Sequence, residues 1–321
     1  MYYDHKRADG KNHHFHYFVA GLLRELRFRP YLRRELPRLL DSIERRPDAE
    51  YIHDRAGYYN KLRQRTPLGE DSVRVGDFSL SNAKSIYYLD TSEYLRYFDG
   101  DLRFNYLFGD IVHVPPHPAI LKSRPIEGDN AASVLLNLDK VRHFTFLKDE
   151  KPFAAKADCA VFRGHISGKP HRVDFVRKFF GSPLCDVGVI NPRPEFPPQW
   201  SENKSISLWR HLDYKFVVTL EGNDVASNLK WVMSSNSVAV MPRPKYETWF
   251  MEGRLIPEHH YIEISDDYSD FESKIRYYLA HPDRAEAISR NANEWVRQFL
   301  DPQREKLISL AVLNRYFEMT Y

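Results

Sequence analysis

Three short stretches of this sequence carry residue types that could do chemistry, and each follows an apolar run. Asp110 comes directly after Phe104–Phe108 and Gly109. A carboxylate held at the end of a strand is well placed to act as a general base, although an ordinary turn aspartate has the same local sequence. The second stretch, Arg163–Arg172, gathers Arg163, His165, Lys169, His171 and Arg172 around Gly164 and Gly168. Guanidinium forks match the oxygens of a diphosphate; a solvated basic loop is the alternative. The third is Glu221–Ser227. Gly222 lets the backbone approach a ligand, Asn223 or Asp224 can cap a helix, and Ala226 and Ser227 leave room. The free N–H groups of such a helix start favour a phosphate, and Lys230 one turn further on would add positive charge. A capped helix start with a surface lysine reads the same way, and there is no Walker-type GxxxxGK pattern. Lys122 and Arg124 add basic groups downstream of Asp110.

Other chemistry-bearing residues point less far. Asp99-Gly100-Asp101 spells a DxD pattern, but DGD is also a common turn. His13-His14-x-His16 and His259-His260 have no acidic or cysteine partner at helical spacing, so no metal site is expected. Cys159 lies in an apolar run and reads as a packed thiol. No GxSxG or Ser/His/Asp arrangement offers a nucleophile.

The elements that must position these residues follow from the hydrophobic pattern. Residues 15–46 read as helix interrupted at Pro30 and Pro37. Ser85–Leu89 and Phe104–Phe108 read as strands, and Phe146–Ala157, charged and Lys-rich, as a linker. Asp158–Phe162 reads as a strand and Val173–Phe180 as a helix. Pro192, Pro194, Pro197 and Pro198 mark an irregular loop over 191–205. Tyr214–Leu220 is a buried-strand run, and Val225, Leu229, Val232 and Met233 follow at helical spacing. Ser237–Met241 is the next strand, which completes a β-α-β unit. Ser269-x-x-Glu272 predicts a capping box, Pro282 opens another helix, and Glu305–Tyr321 is amphipathic. Strands alternating with helices predict an α/β fold with parallel sheets, whose ligands bind beyond the carboxyl ends of the strands. That rule selects the three stretches above.

Composition bounds the rest. The chain has 321 residues, enough for two domains, and its 14% aromatic content excludes disorder as the main state. The longest apolar run, Tyr17–Leu23, is well short of the ~20 residues of a spanning helix. No signal-peptide pattern opens the sequence, and two cysteines make no disulfide framework. A cytoplasmic, reducing location is expected. A net charge of +3 is not that of a dedicated nucleic-acid binder. Arginines nevertheless crowd residues 24–38. They read either as a solvated helix face or as a surface for an anionic partner, a phosphorylated glycan or, through Arg24, Arg27, Arg33 and Arg34, the phospholipid head groups on the inner face of the cytoplasmic membrane.

At the same loops the sequence resembles glycosyltransferase family 90, which includes bacterial lipopolysaccharide core transferases, capsule-associated proteins and Rumi-type protein O-glucosyltransferases. The resemblance is carried by Phe162-Arg163-Gly164, by Tyr214-Lys215-Phe216 leading to Glu221–Lys230, by Ser235–Val238, by Tyr246-Glu247-Thr248-Trp249-Phe250, and by His260-Tyr261 with Asp267–Asp270. The bacterial lipopolysaccharide branch is the most similar, through Gly109-Asp110-Ile111 and Lys122–Ile126.

The resemblance implies a GT-B fold, with two Rossmann-like domains facing a central cleft. An acceptor domain would span 1–155, a nucleotide-sugar domain 156–303, and a C-terminal helix, 304–321, would cross back to the first. It implies an inverting hexosyltransferase with Asp110 as the base. Arg163, Gly164, His165, Arg172, Asp224, Val225, Ala226, Ser227, Asn228 and Lys230 would contact the UDP-sugar. Many eukaryotic members have arginine where this chain has Asn228. Lys122, Arg124 and Glu247 are expected on the acceptor or sugar side. The donor would be UDP-glucose or UDP-galactose and the acceptor a lipopolysaccharide core sugar, a heptose, with no metal or other cofactor. A capsular polysaccharide acceptor, a protein acceptor, or a non-catalytic nucleotide-sugar-binding protein are the alternatives.

Overall fold

Two parallel sheets lie with the loops at their carboxyl ends in contact, and the sequence order explains how. The structure, a computed structural model, describes residues 6–81, 83–190, 193–201 and 205–321. The first five residues, and parts of the proline-rich loop predicted at 191–205, including Pro192, lie outside the described residues.

The first half opens with three helices, α1 (His14–Glu25), α2 (Arg29–Asp41) and α3 (Ala49–Tyr59), followed by β1 (Val73–Arg74) and α4 (Ser85–Leu95). Then come β2 (Arg103–Phe104), β3 (Tyr106–Leu107), β4 (Ala119–Leu121), β5 (Arg124–Pro125), β6 (Ser133–Leu135) and α5 (Lys140–His143). Strands β3, β4 and β6 form a three-stranded parallel sheet in which Tyr106 pairs with Ile120 and Ile120 with Val134.

The second half contains β7 (Ala157–Gly164), α6 (Pro170–Phe179), β8 (Cys185–Val189), α7 (Leu208–His211), β9 (Tyr214–Val218), α8 (Leu229–Met233) and β10 (Val238–Met241). It continues through β11 (Tyr246–Glu247), β12 (Ile262–Glu263), α9 (Phe271–Ala280), α10 (Pro282–Arg297) and α11 (Pro302–Thr320). Its main sheet has the order β12-β10-β9-β7-β8 and is parallel throughout. The inner strands are apolar where they are buried, over residues 160–162 of β7, 216–218 of β9 and 238–241 of β10. Helix α11 packs on α3, α2 and α4.

Several local expectations are corrected. Ser85–Leu89 is not a strand but the first turns of α4. Eight of its eleven residues are buried, so no amphipathic period marks it as a helix. The single strand expected over Phe104–Phe108 is two, because β2 pairs antiparallel with β1 and β3 parallel with β4. Pro30 opens α2, and Pro37 is accommodated inside it. Helix α8 starts at Leu229, so Val225–Asn228 is a turn. The capping box does not form: Ser269 Oγ donates to Asp267, and Glu272 accepts from Ser182. The expected linker is packed, with Phe146, Leu147 and Phe153 buried and Lys156 paired to Asp149 at 2.7 Å.

The two halves are sewn together by buried polar groups. Strand β5 pairs antiparallel with β11, which sets Arg124 opposite Glu247. Arg124 Nε donates to Glu247 Oε1 at 2.8 Å, and its other nitrogens donate to the carbonyls of Tyr58, Tyr59 and Ser133. Beside it, Tyr59 stacks on Trp249 with centroids 3.8 Å apart, while Arg55 and the Trp249 indole both donate to Glu305 of α11. Removing one member of a buried pair strands the other charge, whereas an apolar replacement of both does not. Glu247→Ala is therefore expected to destabilise by about 3–5 kcal/mol in chemical denaturation. The double variant Arg124→Met, Glu247→Leu should recover most of that loss.

Candidate active site

Except for Arg142 of α5, the groups at the centre of this site come from the carboxyl ends of parallel strands. Beyond β3, Gly109 takes φ +134°, a conformation that side chains rarely adopt, and Asp110 follows. Beyond β4 comes Lys122, beyond β6 Asp139, and beyond β9 Glu221–Asp224. Lys122 Nζ lies 2.5 Å from Asp110 Oδ1 and 2.8 Å from Asp224 Oδ2, with its side chain only 1% exposed. Asn223 Nδ2 donates to Asp110 Oδ2 at 3.0 Å. Arg142 reaches Asp110 at 3.3 Å and Asp139 at 2.8 Å. Burial works against the Asp110 carboxylate, but the Lys122 hydrogen bond and charge, Asn223 and Arg142 outweigh it and hold its pKa at about 2. Asp139, a left-handed residue with φ 56°, is pushed up to about 6 by burial, against the opposing charges of Arg142 and Lys122.

A cavity of about 280 Å³ opens next to these groups, at the carboxyl ends of β9 and β10. Thr219, Gly222, Asn223, Val225, Ala226 and residues 241–246 line it. A second cavity of about 880 Å³ shares Arg243–Tyr246 with the first and reaches Val112 and Pro125–Glu127 of the other half. The Thr219 hydroxyl is buried and has no hydrogen-bond partner among the described residues. Arg172 donates to the carbonyls of Glu221 (2.8 Å), Leu220 (2.6 Å) and His165 (3.0 Å). No carboxylate lies within ion-pair distance of it among the described residues, and burial draws its pKa down to about 10. Arg172 does not itself line the cavity but lies close to Gly222, which does: a Cβ there would be 3.5 Å from Arg172 Nη2. Glu221 accepts from the backbone N–H groups of Lys245 (2.9 Å) and Tyr246 (3.3 Å), and burial pushes its pKa up to about 7.

The structure brings some of the expected residues together. Asp110, Lys122 and Asp224 form one ionic cluster, and Val225 and Ala226 line the cavity beside Arg172. Gly164 makes room for the Phe162 ring, which a Cβ would meet at 2.9 Å, and lies next to Arg172, whose Nη1 would be at 3.5 Å. His165 is exposed and offers its carbonyl to Arg172. Ser227 is exposed in the turn, and Asn228 braces β9 by donating to the Val218 carbonyl.

Four expectations are corrected. Arg163 is buried against Asp186 of β8, at 2.8 Å, and does not line the cavity. Lys230 is wholly buried and pairs with Glu252 at 2.5 Å, so it supplies no charge to a phosphate. Arg124 and Glu247 form the seam between the halves and are closed to an acceptor. The sequence reading passed over Thr219, Asp139, Arg142 and the loop 242–246. Applying the strand-end rule to β10 and β6 as well would have found the last two groups of residues.

A family model described as glycosyl transferase family 90 matches residues 138–320. The chain is similar to the O-glucosyltransferase LpsA of Dichelobacter nodosus, with 44% identity over 283 residues, 87% of either chain. It is also similar to Protein O-glucosyltransferase 3 of Homo sapiens and of Rattus norvegicus. Each is 26% identical over 167 residues, which is 51% of this chain and 32% of theirs.

Glu221 gives the site a pH signature. Its folded pKa of about 7 stands above the ordinary 4.5, so the folded state keeps a proton that the unfolded chain releases. Its contribution to stability is full below the unfolded value and is lost as pH rises toward 7. The melting temperature of the native protein is expected to fall over that window more steeply than that of Glu221→Gln.

Proposed function

The chain belongs to glycosyltransferase family 90, and we propose that it is an inverting transferase that moves a hexose from a UDP-sugar to a lipopolysaccharide core sugar, a heptose. Glucose is the hexose we favour, because the relatives are named as glucosyltransferases. The two parallel sheets with touching carboxyl-end loops suit a GT-B frame with one domain on each side of the cleft. The observation that carries the proposal is that Asp110, from one sheet, accepts from Asn223 and shares Lys122 with Asp224, both from the other, beside a cavity lined by Gly222 and Asn223.

The reaction is a single displacement. The acceptor hydroxyl gives its proton to Asp110, its oxygen forms a bond to the anomeric carbon, and the bond from that carbon to the diphosphate breaks on the opposite face. The leaving UDP takes the electron pair. Arg172 and the backbone around Gly222 face the charge that develops there, as groups fixed in advance of the reaction do. Asp110 at a pKa of about 2 is ionised but weakly basic while Lys122 holds it. An arriving diphosphate competes for the Lys122 ammonium, and Asp110 becomes more basic as the pair loosens. Asp110 therefore acts as a base only once the donor is in place, which guards against acceptor activation in its absence.

Asp110→Asn separates a transferase from a nucleotide-sugar-binding protein. We expect turnover of UDP-glucose with a core acceptor to fall at least ~10²-fold while calorimetric UDP affinity stays within a few-fold. Turnover of the native protein should be the same with and without EDTA. Activity that survives Asp110→Asn would remove the base from the scheme. No turnover by the native protein with any UDP-hexose would remove the transferase reading.

A further inference from the structure

Helix α1 is amphipathic in the reverse sense to a core helix. Its polar face points inward: Tyr17 donates to Asp90 at 2.6 Å, Glu25 accepts from Tyr88 and Ser92, and Arg24 pairs with Glu93 at 3.1 Å, all on α4. Gly21 lets the two helices close up, since a Cβ there would lie 2.8 Å from Leu89. The apolar face points outward. Phe15, Val19, Leu22, Leu23 and Leu26 recur at intervals of three and four and fall in one stripe. All five are exposed, Leu26 by 80%. Phe28 and Tyr31, 72% and 61% exposed, extend the patch onto α2. A soluble surface rarely gathers so many large apolar side chains without a use for them.

The charge beside the patch is mostly positive, with Glu35, which accepts from the Tyr31 hydroxyl, among the arginines. Arg27, Arg34 and Arg38 are exposed, and none has a carboxylate within ion-pair distance among the described residues. Arg34 and Arg38 follow Tyr31 along one face of α2. Arg24 and Arg33, expected among the lipid-facing arginines, are instead tied to Glu93 and to the Phe98 carbonyl. Among the described residues, no helix is long and apolar enough to cross a membrane.

We propose that α1 and the start of α2 form a seat for an anionic lipid surface, with the apolar stripe of α1 entering the headgroup boundary and Arg27, Arg34 and Arg38 meeting the phosphates. Bare apolar side chains next to unpaired arginines fit a lipid interface, which offers hydrocarbon and negative charge together. A protein partner or a second copy would cover the stripe but would have to bring its own carboxylates for these arginines. The seat also lies one helix from the cleft: α4, on which α1 rests, carries Tyr87, whose ring stacks 5.0 Å from Phe108, two residues before Asp110. The proposal does not depend on which sugar is moved, or on whether any is.

The test is co-sedimentation of the full chain with vesicles of phosphatidylethanolamine and phosphatidylglycerol, against vesicles of phosphatidylcholine alone. Binding is expected to the first, to weaken in high salt, and to drop about tenfold or more in Arg34→Gln, Arg38→Gln. Leu22→Ser, Leu26→Ser should abolish it without lowering the melting temperature, because those side chains touch solvent. Should that variant fail to fold, Phe28→Trp decides: brominated lipid tails must quench the added fluorescence. No binding to anionic vesicles, binding indifferent to the leucines, or no quenching would overturn the proposal. So would light scattering that shows a dimer converted to monomer by the leucine variant, since a second copy would then be what covers the stripe.

Discussion

One buried ammonium holds the centre of this molecule together. Lys122 lies between Asp110, from the loop after β3, and Asp224, from the loop after β9. Without it, two carboxylates from different sheets would face each other in a poorly solvated cleft and repel. With it, the loops are drawn into register, and Asn223 adds a direct hydrogen bond to Asp110. The same contact that closes the cleft also lowers the basicity of Asp110, the carboxylate proposed as the base. Structure and reactivity are therefore coupled through a single ion pair, and a diphosphate is the kind of ligand that would loosen it.

Around that centre the charged residues divide into two groups. Arg124 with Glu247, Lys230 with Glu252, Arg55 with Glu305 and Arg163 with Asp186 are closed pairs whose side chains are largely buried. Arg124 with Glu247 and Arg55 with Glu305 join the two halves, while Lys230 with Glu252 and Arg163 with Asp186 brace the second half from within. Arg172 is different, because its partners are carbonyl oxygens that leave its charge unneutralised. Segments that carry the family resemblance fall in both groups. Tyr246–Phe250 builds the seam, and Glu221–Ala226 lines the cavity.

The parallel sheets were legible in the sequence wherever a strand is buried on both faces. Phe216–Val218 and Val238–Met241 are apolar and buried, and the strand-end rule then selected Asp110, Arg163–Arg172 and Glu221–Ser227. Helix α4 was not legible, because burial on nearly every side erases the periodicity that marks a helix. Charge was misread for a related reason. A lysine or arginine has the same letter whether it faces a phosphate or a buried glutamate. The partner of Arg124 is 123 residues away, and that of Lys230 is 22. Only the fold shows which cation is paired with a carboxylate and which, like Arg172, is bonded to carbonyls alone.

The most direct test of the cleft as a donor site is a calorimetric titration of UDP into the native chain and into Gly222→Val. The substitution adds bulk at the cavity wall where a Cβ finds only ordinary contacts, 3.5 Å from Arg172 and 3.8 Å from the Val225 carbonyl. Folding should be intact by melting temperature. Saturable UDP binding by the native chain, lost in Gly222→Val, is the predicted result. Binding that the valine leaves unchanged, or no binding of UDP to the native chain, would contradict the assignment of this cavity to the donor.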